Sequence, residues 1–595
     1  MKIGLLGVSG EEPSLRAWGI ALERAGVPFE ELALADERQR RLLIARLCSA
    51  GFQALILASG DVLDATVSSS ERHTVEALER MLGIRSLVAY AYPTPAHGLR
   101  AAASAGPLDG LNVALTERGR DVFPYLHGPL AIDVGSWGYL AVPLSSERFE
   151  ALVSAPDGSA LLGIHRLQDG REQMIQTFAA NAGQAHAQLL RHGQLRWVTR
   201  GTYLGLERNY LSLHVDDVLL ANHSWNVATH STDANPAASI RMSADDVSRA
   251  ARWSRSRGLR LDLVCNGAGS ASHRVDQRHA TDPLLDALLG ERETFGWINH
   301  TYSHVDLDAV PRATIETEIE RNVRWARRVG IELEPRALVT GAHTGLANLA
   351  ATPPRAANPE LASALDAQRI RFIACDASRP YPPSAGAAAR EQASPGTPFW
   401  VGPALAIPRH PSDLPFDAAT TQQAVDRLRR QSSSDHAPRD WQQLVSAEAW
   451  RIFIAVIGND PRPHYFHQSN LVGCAGGDPA GGGLLYELID AVLHQYHRSV
   501  GANAPIVQPS FGEIGRLLLW STAWRASLAA GSISAHLGRS RVTIVNRARD
   551  PVHLPLTGAA AGARYGGTRS AWILARPGAT VVALEPRLLS ALRGS

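Results

Sequence analysis

The sequence predicts a multidomain α/β protein built around a (β/α) barrel. Three observations predict it. At 595 residues the chain is too long for one hydrophobic core, and its length suggests three or four domains. Over residues 206–525 short apolar runs alternate with helical stretches, as parallel strands covered by helices do. Two of these runs end on polar residues, Asp216-Asp217 and His300-x-x-x-His304, where a barrel carries its chemistry.

Residues 1–122 alternate strand and helix, in the manner of flavodoxin/Rossmann-like domains. Strands are expected at Ile3 to Val8, Val27 to Leu34, Phe52 to Ser59 and Ile84 to Tyr92, with helices near Ser14 to Ala25, Arg38 to Ser49 and Ser70 to Leu82. Gly7-x-x-Gly10 lacks the full phosphate-loop pattern and reads as a strand-to-helix turn. Residues 123–205 form a β-rich accessory domain, with hairpin signals at Asp157-Gly158 and Asp169-Gly170. There Trp137, Tyr139, Phe149 and Trp197 are either core or a sugar-stacking surface.

The barrel domain follows, over 206–525. Ser243 caps a helix that Gly258 ends. Leu259 to Cys265, Ala337 to Thr340, Phe372 to Cys375 and Pro403 to Pro408 are strands. Ala313 to Val329, Asn358 to Ile370, Ala447 to Ile457 and Leu484 to Tyr496 are helices. The Pro/Ala/Ser-rich stretch 377–398 reads as a long loop on the site rim. A small C-terminal β segment occupies 538–595.

Net charge is +2, which gives no sign of nucleic acid or an anionic membrane as partner. No apolar stretch nears the ~20 residues of a transmembrane segment. The start is not a signal peptide, so the expected location is the cytoplasm, or the cell surface or exterior if the start is truncated. Lys2 is the only lysine, which excludes Schiff-base chemistry from the folded body. Cys48, Cys265, Cys375 and Cys474 are far apart and indicate neither a zinc ribbon nor a disulfide framework.

An unpaired carboxylate after an apolar strand is costly. One carboxylate of Asp216-Asp217 with His300 and His304 makes a three-ligand set for a divalent metal, and the other carboxylate is left to take a proton from water. This is the kit of a metal-dependent hydrolase. Successive strand residues face opposite sides, so both carboxylates can serve one site only where the backbone turns. His214 reads as a core histidine, and His494 and His497 as solvent-facing.

"LERNYLSLHVDDVLL", "NHTYSH", "TGAHTGL", "IPRHP" and "YFHQSNL", in this order over residues 200–520, together resemble the galactosaminogalactan deacetylases, carbohydrate esterase family 18. "HVDD" followed by "NHTYSH" is also similar to the NodB-homology polysaccharide deacetylases. The resemblance implies a NodB-like barrel that removes N-acetyl groups from an N-acetylated amino-sugar polymer or glycoside, of galactosamine type. It implies that Asp217, His300 and His304 bind the metal. Zn²⁺ is favoured, with Co²⁺, Ni²⁺ and Mn²⁺ open. It makes Asp216 the base, His467 the acid in preference to His464, and Arg409 the holder of Asp216. His343 and Thr344 then line the pocket. Tyr302 and Asn470, inside two of the motifs, are further candidate substrate contacts. Trp225 either stacks on a sugar or packs its loop. Two other readings are a deacetylase of a small-molecule amide or ester, and a glycan-binding protein on a degenerate barrel.

Overall fold

Seven parallel strands of the computed structural model close into a barrel, and they follow one another around it in chain order. They are β1 (Leu213–Asp216), β2 (Leu261–Cys265), β3 (Gly296–Asn299), β4 (Ala337–Leu338), β5 (Phe372–Asp376), β6 (Ala404–Pro411) and β7 (His464–His467). Closure comes from β7 pairing with both β6 and β1, and from β6 pairing with β5. A short antiparallel strand, Phe399–Val401, flanks β6. The structure describes residues 1–100, 104–278, 280–381, 396–431, 437–473 and 482–586.

The strands are short and apolar because both faces are covered. Every residue of β1, β2 and β5 is buried. The connecting helices carry the expected signals. Ser243 accepts from the Asp246 amide to start Ala244–Arg257, while Asp246 returns a bond to Ser243, and Gly258 ends the helix in the left-handed region. Asp246 is therefore a buried cap rather than a solvated charge.

The N-terminal strands lie where expected but are shorter, two of them by half or more, at Ile3–Gly7, Phe29–Ala33, Ala54–Leu57 and Arg85–Val88. The boundary expected at 122/123 falls inside a single nine-stranded sheet. Arg85–Val88 pairs in parallel with Glu172–Gln176, and the antiparallel strands Ala160–Arg166, Phe149–Ser154, Asn112–Leu115 and Leu130–Ala131 extend the sheet from there. Asp157-Gly158 and Asp169-Gly170 both sit in its hairpin turns. Phe149 and Trp197 are buried, Trp197 beneath the Arg85 guanidinium, so the four aromatics do not form one exposed face.

Helix Ala185–Val198 gave no signal in the sequence. It is buried nearly all round and carries polar groups there, including His186, Arg191 and Gln194, so no apolar stripe marks it. Arg191 is paired with Glu207, and Gln194 donates to Gln176. The C-terminal β segment starts earlier than expected, at Ile533, and forms a three-stranded and a four-stranded sheet. Tyr203–Leu204, just before the barrel, is the edge strand of the latter. Cys265 and Cys375 are buried and Cys48 is exposed. Cys474 and residues 382–395 of the expected rim loop lie outside the described residues. Among those described, no helix is long and apolar enough to cross a membrane.

Candidate active site

β1 ends on Asp216, and Asp217 then adopts a left-handed backbone with φ of 65°. Aspartate tolerates that region better than most residues. This turn resolves the strand-alternation problem, because both carboxylates come to lie in the field of His300 and His467.

The end of β3 is folded more tightly. Thr301 and His304 have φ of 62° and 59°. Buried amides hold the turn. Asn266 donates to the carbonyls of His300 and Thr301, Asn299 accepts from the Thr301 amide, and Asn322 bonds Asn299 and the Cys265 carbonyl. Both imidazoles then face Asp217. Their Nε2 atoms stand 3.2 Å (His300) and 3.3 Å (His304) from Asp217 Oδ1. Gly341 makes room for the His304 ring, since a Cβ there would lie 2.6 Å from it.

These residues fit a divalent metal. His300 Nδ1 is 2.8 Å from the Val339 carbonyl, which can only accept, so Nδ1 carries a proton and Nε2 is the atom turned toward Asp217, where a metal would take its lone pair. Asp217 Oδ1 is buried and has no hydrogen-bond partner. A buried acceptor in that state is expensive unless a cation meets it. One donor atom each from Asp217, His300 and His304 lie within 4.8 Å of one another. The electrostatics show the same demand for positive charge. Burial alone lowers the His300 pKa, yet Asp217 and Asp216 carry it above the ordinary histidine value. Asp217 itself is lowered to about 2, burial being outweighed by His300 and His304.

Asp216 is held apart from this set. Arg409, fully buried on β6, donates from Nη1 and Nη2 to the two Asp216 oxygens, each at 2.8 Å. Burial raises the Asp216 pKa, but Arg409 overrides it and keeps the carboxyl ionised well below the usual range. The guanidinium lies 4.3 Å over the ring of Tyr465, whose hydroxyl donates to Asp376 at 3.2 Å. His343 Nε2 is 3.4 Å from Arg409 Nη2, and burial beside Arg409 keeps its ring neutral.

His467 ends β7 in register with Asp216. Burial lowers its pKa, the two carboxylates raise it, and Arg409 lowers it again; the net shift is downward. His464 stacks on His410, with ring centroids 4.9 Å apart. Period-2 alternation therefore puts His464 on the opposite face from Tyr465 and His467. His214 is fully buried against Phe511 with neither ring nitrogen bonded, as a core histidine. His494 and His497 are exposed on helix Leu484–Ser499.

Four candidate substrate contacts are occupied by the protein itself. Asn470 is fully buried: its Oδ1 accepts from the His467 amide, and its Nδ2 donates to the carbonyls of Pro415 and Ala418. It positions His467. Thr344 Oγ1 donates to the Gly341 carbonyl and accepts from the Leu307 amide. Tyr302 is buried with the Arg321 guanidinium 3.9 Å over its ring. Trp225 packs its loop: Nε1 donates to Asp426 and Arg427 covers the ring at 4.6 Å.

Sequence reasoning missed Tyr465, Asp376 and Asn222. Tyr465 was reachable, because it alternates with His467 on one strand. Asn222, whose Nδ2 donates to Asp217 Oδ2 at 3.0 Å, carries no spacing signal.

Residues 276–478 match the family model described as the Agd3 deacetylase domain. The crystal structure of Agd3, described as a novel carbohydrate deacetylase, superposes with a TM-score of 0.78 at 16% identity, covering 98% of this chain and 98% of that one. These two findings bear out the resemblance to galactosaminogalactan deacetylases, and the second establishes the shared multidomain α/β fold. A family 4 carbohydrate esterase from Streptomyces lividans in complex with acetate is matched over 29% of this chain and 64% of its own, at 15% identity and a TM-score of 0.18. The Bc1960 peptidoglycan N-acetylglucosamine deacetylase is matched over 53% and 93%, at 11% identity and a TM-score of 0.24. Neither value carries an argument about fold. No curated protein matches in sequence. The matched family segment contains His300, His304, His343, Arg409 and His467 but starts after Asp216 and Asp217, which join the site only through the barrel.

Proposed function

We propose that the protein is a metal-dependent carbohydrate N-deacetylase, acting on an N-acetylhexosamine glycan or glycoside with galactosamine type favoured. The observation that carries this reading is the buried, unpartnered Asp217 Oδ1 facing two imidazole Nε2 atoms, beside a second carboxylate that Arg409 keeps ionised. The family match over 276–478 supports the reaction class.

Asp217, His300 and His304 would hold the metal, with Zn²⁺ the favoured ion. A divalent metal there supplies Lewis-acid polarisation of an acetamide carbonyl and acidifies a water. Asp216 takes the proton of the attacking water. Arg409 serves that step twice, by keeping Asp216 deprotonated and by fixing the plane of its carboxylate through two parallel bonds. His467 gives a proton to the nitrogen of the departing amine. Burial and Arg409 lower its pKa, and the two carboxylates beside it oppose that shift by favouring the imidazolium this role needs. His343, buried and neutral, packs against Arg409 and edge-on to the Tyr465 ring.

The test is acetate release from N-acetylgalactosamine and N-acetylglucosamine oligomers, with and without chelator and added Zn²⁺. Release that stops with chelator and returns with metal supports the reading. Glycan binding with neither acetate release nor bound metal overturns it.

A further inference from the structure

Asp217 offers two oxygens, and the protein treats them differently. Oδ1 faces the two histidines and has no hydrogen-bond partner. Oδ2 accepts from Asn222 Nδ2 at 3.0 Å. Asn222 is 8% exposed, and its backbone is pinned in both directions by bonds with Ile240 of 2.9 and 2.8 Å. The orientation of its amide is set in turn by Gln468. Gln468 Nε2 donates to Asn222 Oδ1 at 2.6 Å and to the Ile240 carbonyl at 2.7 Å, and Gln468 Oε1 accepts from the Met242 amide at 2.8 Å. Gln468 is fully buried and directly follows His467. Each amide in this chain has one orientation that satisfies its neighbours, because a Met242 N–H fixes the first end and a carboxylate the last.

We infer that Asn222, oriented by Gln468, is the positioning residue of the metal-binding carboxylate. It saturates Oδ2 and aims the lone pairs of Oδ1 at the site. The inference rests on the proposed metal site and goes beyond it by assigning a residue that touches neither metal nor substrate. The relay also ties two functions together. Gln468 sits in the 3₁₀ turn Gln468–Leu471, in which Asn470 holds the His467 amide. One short turn therefore fixes both the metal carboxylate and the proposed acid.

The experiment is competitive Zn²⁺ titration of the full chain against a chromophoric chelator, alongside thermal unfolding of the metal-free protein. Asn222→Ala should weaken Zn²⁺ binding about 10- to 100-fold, the usual cost of losing a hydrogen-bond partner of a ligand. Gln468→Glu is nearly isosteric and leaves Asn222 in place. It replaces the donor facing Asn222 Oδ1 with an acceptor, so the Asn222 amide should reverse and turn an oxygen toward Asp217. Its Zn²⁺ affinity should fall in the same range, with a modest fall in the metal-free Tm because the buried Ile240 carbonyl also loses its donor. Affinity within twofold of the parent in Gln468→Glu, or a loss in Asn222→Ala matched by unfolding of the metal-free protein, would overturn the inference alone. A parent protein that binds no Zn²⁺ would remove the metal site, and the inference with it.

Discussion

Two strand ends in this molecule look alike and behave in opposite ways. Both follow a buried parallel strand, at Gly7 in the N-terminal sheet and at Asp216 in the barrel. After Gly7 the chain forms the kind of turn whose amides cradle anions, but its own Glu12 fills it. The carboxylate accepts from the amides of Val8, Ser9 and Gly10 at 2.7, 2.9 and 3.1 Å. Burial raises the Glu12 pKa, and these amides lower it further than burial raises it. After Asp216 the reverse holds: a buried carboxylate oxygen is left without a donor. A strand-end loop that satisfies itself is structure. One that leaves a buried carboxylate oxygen unsatisfied between two imidazoles is a candidate site.

Substitutions at the barrel end should have the largest effects. Asp217→Ala or His304→Ala should lose metal by elemental analysis and acetate release together, to background. Asp216→Asn should keep its metal, because Arg409 and not the metal holds that side chain, while turnover falls at least ~10²-fold. Full activity in Asp216→Asn would sink the assignment of the base. His467→Ala should slow amide substrates far more than activated esters, whose leaving groups need no proton. Equal losses on both would make His467 structural.

The N-terminal turn supplies the counterpart. Glu12→Ala should cost about 0.5–1.5 kcal/mol in denaturant unfolding, because water can reach the amides of this half-exposed turn, and leave acetate release unchanged. Impaired turnover in a folded Glu12→Ala protein would break the contrast between the two loops. A further effect lies in the acid limb of stability. Burial lowers the His186 pKa to about 4, with Nδ1 accepting from the Asp133 amide. Its folded pKa lies below the unfolded value of ~6.5, so its contribution is complete above that value and is lost as pH falls toward 4. Tm should drop over that window, and less steeply in His186→Gln.

The fold was legible wherever period and punctuation agreed. Ser243 and Gly258 bracket a helix from sequence alone, and the hairpin glycines 158 and 170 mark real turns. It was illegible where a buried element is polar. Ala185–Val198 hides its helix because its buried polar groups are satisfied by residues outside it, such as Gln176 and Glu207, so no apolar stripe is needed. The same physics divides the site. Asp216, Asp217, His300 and His304 announce themselves as costly groups after apolar strands. Asn470 and Tyr302 sit in the same motifs, but the Asn470 amide is bonded within the protein and Arg321 covers a face of the Tyr302 ring. A motif shows which residues go together, but only the hydrogen-bond inventory shows which of them remain available.

The strand Tyr203–Leu204 has a consequence for how the protein is made. It lies just before the barrel and pairs with Leu556 and Thr557, and Thr557 Oγ1 also donates to the Gly205 carbonyl, 352 residues away in sequence. The whole barrel is spun out on the ribosome between the two halves of that clasp. At ~5–20 residues per second the first half waits roughly 20–70 s for the second. During that interval the partner strand Val552–Thr557 does not exist, and Arg208, whose guanidinium ends 4.5 Å over Tyr565, has no ring to cover. Until then Tyr203–Leu204 is a strand without the neighbour it pairs with in the finished fold.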